Sequence, residues 1–385
     1  MHVGLSTGFA NHSKVDDARF IREEMTQLLL AEELGFDSLW MTEHHFSDYS
    51  ISPSPVQYLT WLAAKTKHVR LGTQVIVVPW HDPVRLAEEI AVLDHLSGGR
   101  AIIGFGRGLA RMEYEGLRVD QNKARELFDE IVPMVMNAME TGYIEGGEHF
   151  KQPRREIRPK PIRSLRGRAF CAAGTPASMV SAAKLGLGRL YLGQPMVGGQ
   201  KKPAFQPQTA ADAARAPEEV APEDAWLDTW LKVHPDETPP SPFVSNLVFI
   251  DESPDRAFEL ARVYAVQTFR AAIKNYELTS QHHGSIKGYE NYKGLVMDEG
   301  DVDKAIEGVI EGSIHGDPQM ILEKLAEVKK TRDPQGMIPH LYTGGMPHED
   351  CMRSINIFAR HCLREMQSWQ AAPETINPPM ALAAE

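Results

Sequence analysis

Apolar and polar residues alternate along the chain in two patterns. Short apolar runs such as HVGLST and FDSLWM are typical of strands, and the segment between them, Asp16 to Gly35, has apolar residues at helical spacing. The run VRLGTQVIVVP is continuous and β-branched, as in strands buried on both faces. The following segment starts with Asp82 and Pro83 and ends with two glycines, which are helix start and stop signals. This alternation predicts β/α units and a parallel sheet.

The same alternation continues toward the C-terminus. Further strands are expected at AIIGFG, RAFCAAG, GRLYLG, SPFVSNLVFI and GMIPHLYTG, with amphipathic helices between them. The count of about eight strands predicts an α/β fold, a (β/α)8 TIM barrel. An open doubly wound sheet is the rival architecture, but no GxGxxG motif opens the first unit.

Three segments do not fit the repeat. Residues 194–242 are rich in Pro, Ala, Gln and acidic residues and are interpreted as an insertion with a short helix around AWLDTWLKV. Residues 281–301 are polar and glycine-rich, which is typical of a mobile lid loop. We assign these insertions to positions after strands 5 and 7 of a single barrel domain, residues 1–370. The remaining residues, 371–385, are expected to form a loose tail.

Length and charge narrow the class of function. A barrel of this type can use all 385 residues, and the 42% apolar content suffices for a large core. The net charge of −11 argues against nucleic acid and anionic membranes as partners. No apolar run is long enough to cross a bilayer and no signal peptide is recognised, so a cytoplasmic location is expected. Three scattered cysteines fit a reducing compartment.

Candidate reactive residues lie where the predicted strands end. The stretch TEHHF follows the second strand and contains Glu43, His44, His45 and Phe46. Active sites of TIM barrels lie at this end of the strands. Because neighbouring side chains of an extended backbone point to opposite faces, we expect one histidine of the pair to face the barrel mouth. The rival interpretation is a hydrogen-bonded structural histidine.

A metal centre would need further ligands from other strand ends. His81, His315 and His340 are available, but no HxH or HExxH motif assembles a set. We therefore predict no metal site, and a metal-dependent barrel hydrolase is a distant alternative.

Two later strand ends favour anion binding. The glycines of GFGRGL allow backbone to approach a ligand, and the arginines beyond them can clamp a phosphate. The segment AAGTPASM places hydroxyls and free amides at a strand-to-helix junction. Ordinary loop glycines and a helix N-cap are the alternative interpretations. The residues concerned are Gly106, Arg107, Arg125, Gly174, Thr175 and Ser178, and together they suggest a phosphorylated cofactor.

Four segments in this order resemble bacterial luciferase and the wider luciferase-like flavin-dependent monooxygenases, especially the luciferase α subunit. They are GFDSLWMTEHHF, VIVVPWHDPVRLAEEIAVLDHLSGGR, GFGRGL and GYENYKG. The resemblance implies a two-component enzyme that oxygenates a small, largely apolar substrate with O2 and reduced FMN through a C4a-(hydro)peroxyflavin. A separate NAD(P)H-dependent flavin reductase would supply the FMN. An F420-dependent oxidoreductase of the same superfamily and a non-catalytic flavin-binding relative are the alternatives.

The resemblance also implies roles for single residues. His44 matches the catalytic histidine, and the peptide Gln74–Val75 matches a non-proline cis bond beneath the flavin. Gly106 stands where the luciferase α subunit has a reactive cysteine. Positions around the phosphate match Arg107, Arg125, Thr175 and Ser178, with Gly174 supplying backbone. Residues expected near the substrate or in the lid are Glu43, His45, Phe46, Trp80 and Lys293, while Phe105 and Met112 are further possible lining residues.

The predicted helix from Asp82 to Leu96 matches one that packs at the dimer interface of the family. The resemblance thus implies a homodimer or an α-like subunit of a heterodimer.

Overall fold

The computed structural model describes residues 1–192, 221–289 and 299–376. Within these ranges, eight parallel strands close a barrel in which β1 pairs with both β2 and β8. The strands are β1 His2–Thr7, β2 Ser38–Met41, β3 Arg70–Thr73, β4 Ala101–Gly106, β5 Ala169–Cys171, β6 Gly188–Leu192, β7 Phe243–Ile250 and β8 Gly336–His340. The predicted (β/α)8 barrel is confirmed.

Helices cover the outside of this barrel, as the amphipathic segments predicted. They are α1 Asp17–Leu34, α2 Pro55–Lys65, α3 Pro83–Ser97, α4 Arg111–Gly116, α5 Ala124–Thr141, α6 Pro176–Lys184, α7 Pro222–Val233, α8 Pro254–Leu260, α9 Val266–Asn275, α10 Glu299–Gly312, α11 Pro318–Arg332, α12 His348–Phe358 and α13 Arg364–Ser368. Single π-helical turns, Ala261–Ala265 and Ala359–Leu363, join α8 to α9 and α12 to α13. Short 3-10 turns are Val78–Trp80, Gln121–Lys123 and His283–Ser285.

Two further short strands and one hairpin complete the described elements. Ile76–Val77 continues β3 along β4, and Ile314–Gly316 pairs with the end of β7. Tyr143–Gly146 and Gln152–Glu156 form an antiparallel hairpin between α5 and β5. Among the described helices, none is long and apolar enough to cross a membrane.

The helix boundaries follow from the predicted capping residues. The Asp82 carboxylate accepts the backbone N–H groups of Val84 and Arg85 at 2.9 and 3.1 Å, and so begins α3. Gly98 ends the helix with φ of 66°, in the left-handed region that glycine adopts without steric cost. The loop at the C-terminal end of β3 is thereby joined to a well-defined helix.

Large side chains fill the barrel interior. The Trp40 and Phe170 rings each lie 5.1 Å from the ring of Phe243, and all three side chains are fully buried. A Cβ atom at Gly72 would lie 2.4 Å from the Trp40 ring, so the neighbouring strand has no side chain there. This packed interior leaves the strand ends as the place for chemistry.

The position predicted for the first insertion is wrong by one strand. Both short strands β5 and β6 precede residues 194–242, so this segment follows β6 rather than the fifth strand. Its predicted helix is present as α7, whose Trp226 and Trp230 rings stack 4.9 Å apart. Residues 193–220 lie outside the described residues. The segment 281–301 belongs to the connection between β7 and β8.

The beginning of the predicted loose tail is held against the barrel. The Thr375 backbone N–H donates to Gln335 Oε1 at 3.0 Å, and its hydroxyl donates to the Gly167 carbonyl at 3.0 Å. Ile376 is buried with the barrel-interior residues. The expectation of a loose arm is therefore wrong for residues 371–376, because an apolar side chain there closes the N-terminal end of the barrel.

Candidate active site

His44 is held at both ring nitrogens just beyond β2. Its Nδ1 lies 2.9 Å from Glu113 Oε1, and its Nε2 lies 3.2 Å from the Tyr276 hydroxyl. Glu113 Oε1 also accepts the backbone N–H of His45 at 2.8 Å, so this oxygen is an acceptor. Nδ1 of neutral His44 therefore carries the proton, and Nε2 accepts the hydrogen bond from Tyr276. Both contacts orient the imidazole.

Glu113 is a functional residue that the sequence analysis missed. It lies on α4, its side chain is buried, and its Oε2 has no hydrogen-bond partner among the described residues. A buried carboxylate oxygen without a partner is costly in a folded protein. In the sequence, its one signal is an acidic residue shortly after the GFGRGL strand end, which is a weak pattern. Tyr276, after α9, gave no signal at all.

Glu43 and His45 belong to a second network. The buried Glu43 carboxylate accepts the Val77 backbone N–H at 2.8 Å and contacts His81 Nε2 at 2.8 Å and His45 Nε2 at 3.4 Å. Burial raises the pKa of Glu43, but the His81 charge and these hydrogen bonds outweigh it and lower the pKa. Burial lowers the pKa of His81, but the charge of Glu43 outweighs this effect. The pKa of His81 is therefore raised. An ion pair thus ties the ends of β2 and β3 together, and the two adjacent histidines have different partners.

Two arginines lie together beyond β4 and at the start of α5. Arg125 Nη2 donates to Ser178 Oγ at 2.6 Å, and Asp129 lies 3.8 Å from Arg125 on the same helix. Burial and the nearby charge of Arg107 lower the pKa of Arg125. Because two like charges held this close repel each other, an anion between them would stabilise both.

The N-terminus of α6 faces the same arginines through Ser178. Thr175 is the N-cap, and its Oγ1 accepts the backbone N–H of Ser178 at 3.2 Å. The two hydroxyls are 2.9 Å apart. Free amides and the helix dipole favour an anion at such an end. The structure thus brings Arg107, Arg125, Thr175 and Ser178 together, with Gly174 directly before the cap.

Residues at the start of the predicted lid cover this arginine pair. Arg107 Nη1 donates to the Gly288 carbonyl at 2.7 Å, and its guanidinium lies 4.2 Å from the centre of the Tyr289 ring. The Tyr289 hydroxyl donates to the Gly108 carbonyl at 2.8 Å. Tyr114, beside Glu113 on α4, donates to the Arg107 carbonyl. Lys293 lies outside the described residues.

The peptide bond Gln74–Val75 is cis, as predicted. Gln74 Nε2 lies 3.3 Å from His340 Nε2, and Gln74 Oε1 has no partner among the described residues. Burial lowers the pKa of His340 to about 4, so its imidazole is neutral. A Cβ atom at Gly106 would lie 2.3 Å from Val75 Cγ2. The Val75 side chain therefore fills the space that a side chain at Gly106 would need.

The remaining predicted residues are spread around the mouth. The Trp80 ring lies 5.4 Å from His45 and 5.6 Å from Tyr114, while Phe46 is 59% exposed. Met112 is exposed as well, but Phe105 is fully buried, so its predicted place in a pocket is wrong. His81, His315 and His340 do not converge, and the described residues contain no group of three or more His, Cys, Asp or Glu side chains able to hold a metal.

A cavity of about 460 Å³ lies elsewhere, at the N-terminal end of β5 and β6. It is lined by Phe170 and Trp230 together with residues of α5 and α6, and it touches none of the strand-end residues described above. We place the chemistry at the C-terminal end of the strands, where the ionisable groups converge.

Comparison with known proteins identifies the family of the chain. A family model described as luciferase-like monooxygenase matches residues 1–333. The oxygenase component of a flavin-dependent trigonelline monooxygenase from Acinetobacter baylyi is 34% identical over 176 residues, 44% of this chain and 49% of that protein. The alkanal monooxygenase alpha chain of Photorhabdus luminescens is 33% identical over 153 residues, 40% of each chain. The chain thus spans about half the length of these curated relatives or less.

Solved structures share the fold along nearly the whole chain. The monooxygenase RslO1 from Streptomyces bottropensis has a TM-score of 0.70 at 23% identity, covering 95% of this chain and 100% of its own. The oxygenating constituent of 3,6-diketocamphane monooxygenase from Pseudomonas putida, in complex with FMN, has a TM-score of 0.67 at 15% identity, covering 95% and 98%. Because the family model spans most of its length, the chain belongs to the luciferase-like monooxygenase family.

Proposed function

We propose that this chain is the oxygenase component of a two-component monooxygenase that uses reduced FMN and O2 to oxygenate a small, largely apolar organic molecule. One observation carries the proposal: adjacent residues of α4 contact His44, the proposed acid–base residue, and Arg107, a residue of the proposed anion site. Glu113 of α4 holds His44, and the adjacent Tyr114 donates to the Arg107 carbonyl. A phosphate at the arginines would therefore place the rest of a ligand beside His44.

The residues present fit FMN. The guanidinium groups of Arg107 and Arg125 and the Ser178 hydroxyl form a donor set suited to a phosphate. When bound, reduced FMN would supply the electrons and the carbon atom that activate O2. The flavin-dependent trigonelline monooxygenase and the FMN complex of the 3,6-diketocamphane enzyme support this choice of cofactor.

The chain's own side chains supply binding and proton control. Nε2 of His44 is the nitrogen available to give or take a proton, because Nδ1 is bound to Glu113. Gly288 and Tyr289, within the predicted lid, contact Arg107, and the proposed role of this segment is to exclude water from the site. Trp80, Phe46 and Met112 offer apolar surface to a substrate. A separate flavin reductase is the proposed partner, and a homodimer or an α-like heterodimer subunit is the proposed assembly.

The test supplies chemically reduced FMN and O2 to the purified protein with a panel of ketones, aldehydes, terpenes and sulfides. The proposal expects substrate-dependent oxygen consumption and a product that carries one atom of labelled O2. Parallel reactions with reduced F420 provide the contrast. Hydride transfer from F420 without oxygen incorporation, or FMN binding without any substrate-dependent oxygen uptake, would overturn the proposal.

A further inference from the structure

Three consecutive residues at the C-terminal end of α9, residues 275–277, contact the chain on both sides of the His44–Glu113 pair. Asn275 Oδ1 accepts a hydrogen bond of 2.8 Å from the hydroxyl of Ser47, which lies three positions after His44 in the chain. Tyr276 contacts His44 Nε2 at 3.2 Å. The Glu277 carboxylate accepts hydrogen bonds from Arg111 Nε and Nη2 at 2.8 and 2.5 Å, and Arg111 lies two positions before Glu113. We call residues 275–277 the latch.

The latch completes the orientation of His44. Glu113 fixes the proton on Nδ1, so Nε2 is the nitrogen on which proton transfer must take place. That nitrogen faces the Tyr276 hydroxyl, and the Tyr49 ring packs edge-on against both His44 and Tyr276 at 4.9 and 5.3 Å. Behind Tyr49, the His12 ring stacks at 6.3 Å. Rotation of the imidazole away from Glu113 would therefore collide with an aromatic wall.

The latch also lies close in the chain to residues that contact Arg107. It lies eleven residues before Gly288, which contacts Arg107, so residues 275–289 contact both His44 and the proposed anion site. The Arg111–Glu277 pair adds a bidentate contact from the latch to α4, the helix that carries Glu113. Movement of this connection would change the surroundings of His44 and Arg107 together.

We propose that Tyr276 is a positioning residue that holds Nε2 of His44, and that Asn275 and Glu277 fix Tyr276 in place. The inference rests on the proposed acid–base role of His44. Loss of the Tyr276 hydroxyl removes the hydrogen bond at Nε2, while Glu113 still holds Nδ1.

Nitrogen-15 NMR of the histidine rings in the cofactor-free protein tests the contact without any turnover. His44 signals are assigned by their loss in His44→Ala. Tyr276→Phe is expected to shift the Nε2 resonance while leaving Nδ1 protonated, whereas Glu113→Gln is expected to disturb Nδ1. Glu277→Gln should give a smaller Nε2 shift in the same direction as Tyr276→Phe. Tyr58→Phe, a tyrosine on α2 outside this site, is the control and should leave both resonances unchanged.

A second measurement addresses catalysis. Tyr276→Phe is expected to lower product formed per reduced FMN several-fold and to change its pH profile, with FMN affinity and substrate KM unchanged. An unmoved Nε2 resonance in Tyr276→Phe would overturn the positioning role. If Tyr276→Phe shifts the Nε2 resonance but the wild-type protein oxygenates no substrate, the proposed function is overturned while the contact between Tyr276 and His44 stands.

Discussion

His44 and Arg107 lie at the same mouth but are held in different ways. His44 is fixed on both sides by a carboxylate and a hydroxyl. Arg107 donates to a backbone carbonyl and stacks on Tyr289, and these contacts leave guanidinium donors for a phosphate. We infer that His44 acts in the chemistry and that Arg107 acts in binding, and the two roles give opposite mutant phenotypes.

His44→Ala should separate binding from chemistry. We expect FMN affinity to stay within about two-fold, because no phosphate contact is removed, while product yield falls roughly 100-fold, the usual size of an acid–base contribution. Hydrogen peroxide release should rise. Arg107→Ala is the matched variant, and loss of its charged hydrogen bonds should weaken FMN binding about 10- to 100-fold. Fluorescence titration and product analysis measure both, and swapped phenotypes would contradict the assignments.

Gly106 should tolerate a side chain only if Val75 becomes smaller. The added Cβ of Gly106→Ala would lie 2.3 Å from Val75 Cγ2, so we expect a loss of about 1–3 kcal/mol in the free energy of unfolding. Val75→Ala should restore much of this loss in the double variant. Urea unfolding of all four proteins measures the coupling. Strictly additive effects would show that the two side chains do not compete for the same space.

Residues at strand ends could be predicted, whereas their partners could not. His44 and Arg107 follow apolar runs directly, and chain order alone places them at the mouth. Glu113 and Tyr276 reach His44 from 69 and 232 positions away, through a short helix and a turn. No periodicity encodes such a contact, because it depends on how far each connection between strand and helix extends over the barrel.

Among the helices and strands, caps were visible in the sequence but buried polar links were not. Asp82 was predicted as the cap of α3, and it acts through local backbone contacts that a few neighbouring residues determine. Arg168, just before β5, forms a bidentate ion pair with Asp94 of α3 at 2.8 and 2.9 Å. Both side chains are fully buried. This link joins an outer helix to the N-terminal ends of the barrel strands.

Removal of one partner of this buried pair should be strongly destabilising. Asp94→Ala leaves the Arg168 guanidinium buried without its counter-charge, and we expect a loss of about 3–5 kcal/mol in the free energy of unfolding. Glu145→Ala is the control, because its pair with Arg154 is exposed and should contribute little. Thermal unfolding of the three proteins compares them. Equal melting temperatures for the two variants would contradict the importance of burial.

Across the chain, net charge conceals local differences. Residues 151–168 carry eight basic residues and one acidic residue, a stretch that the net charge of −11 obscured. The structure pairs several of these charges, with Arg154 at 2.7 Å from Glu145 and Lys160 at 2.6 Å from Glu156. The acidic balance of the protein therefore coexists with a basic segment, residues 151–168.

Glu24 should make the protein less stable as pH rises toward neutrality. Burial raises the pKa of Glu24 to about 7, against the opposing hydrogen bond from Thr7. The folded state thus holds a proton that the unfolded state releases near pH 4.5, so stability is highest below that pH and falls until about pH 7. Glu24→Gln should remove this fall, gaining roughly 3 kcal/mol relative to wild type between pH 5 and pH 8. Urea unfolding at both pH values measures it, and parallel pH profiles would contradict it.

Two neighbouring helices expose apolar side chains that a second copy of the chain would cover. Trp61 of α2 is 43% exposed, and Val92 and Leu96 of α3 are 38% and 56% exposed. We expect a homodimer at micromolar concentration, and Leu96→Asp should shift it to monomer because the interface would bury an unpaired charge. Leu231→Asp, at a 50% exposed leucine of α7, is the matched control and should leave the mass unchanged. Light scattering measures the mass of the wild type and both variants. A monomeric wild type, or dissociation of both variants alike, would exclude α3 as the dimer interface.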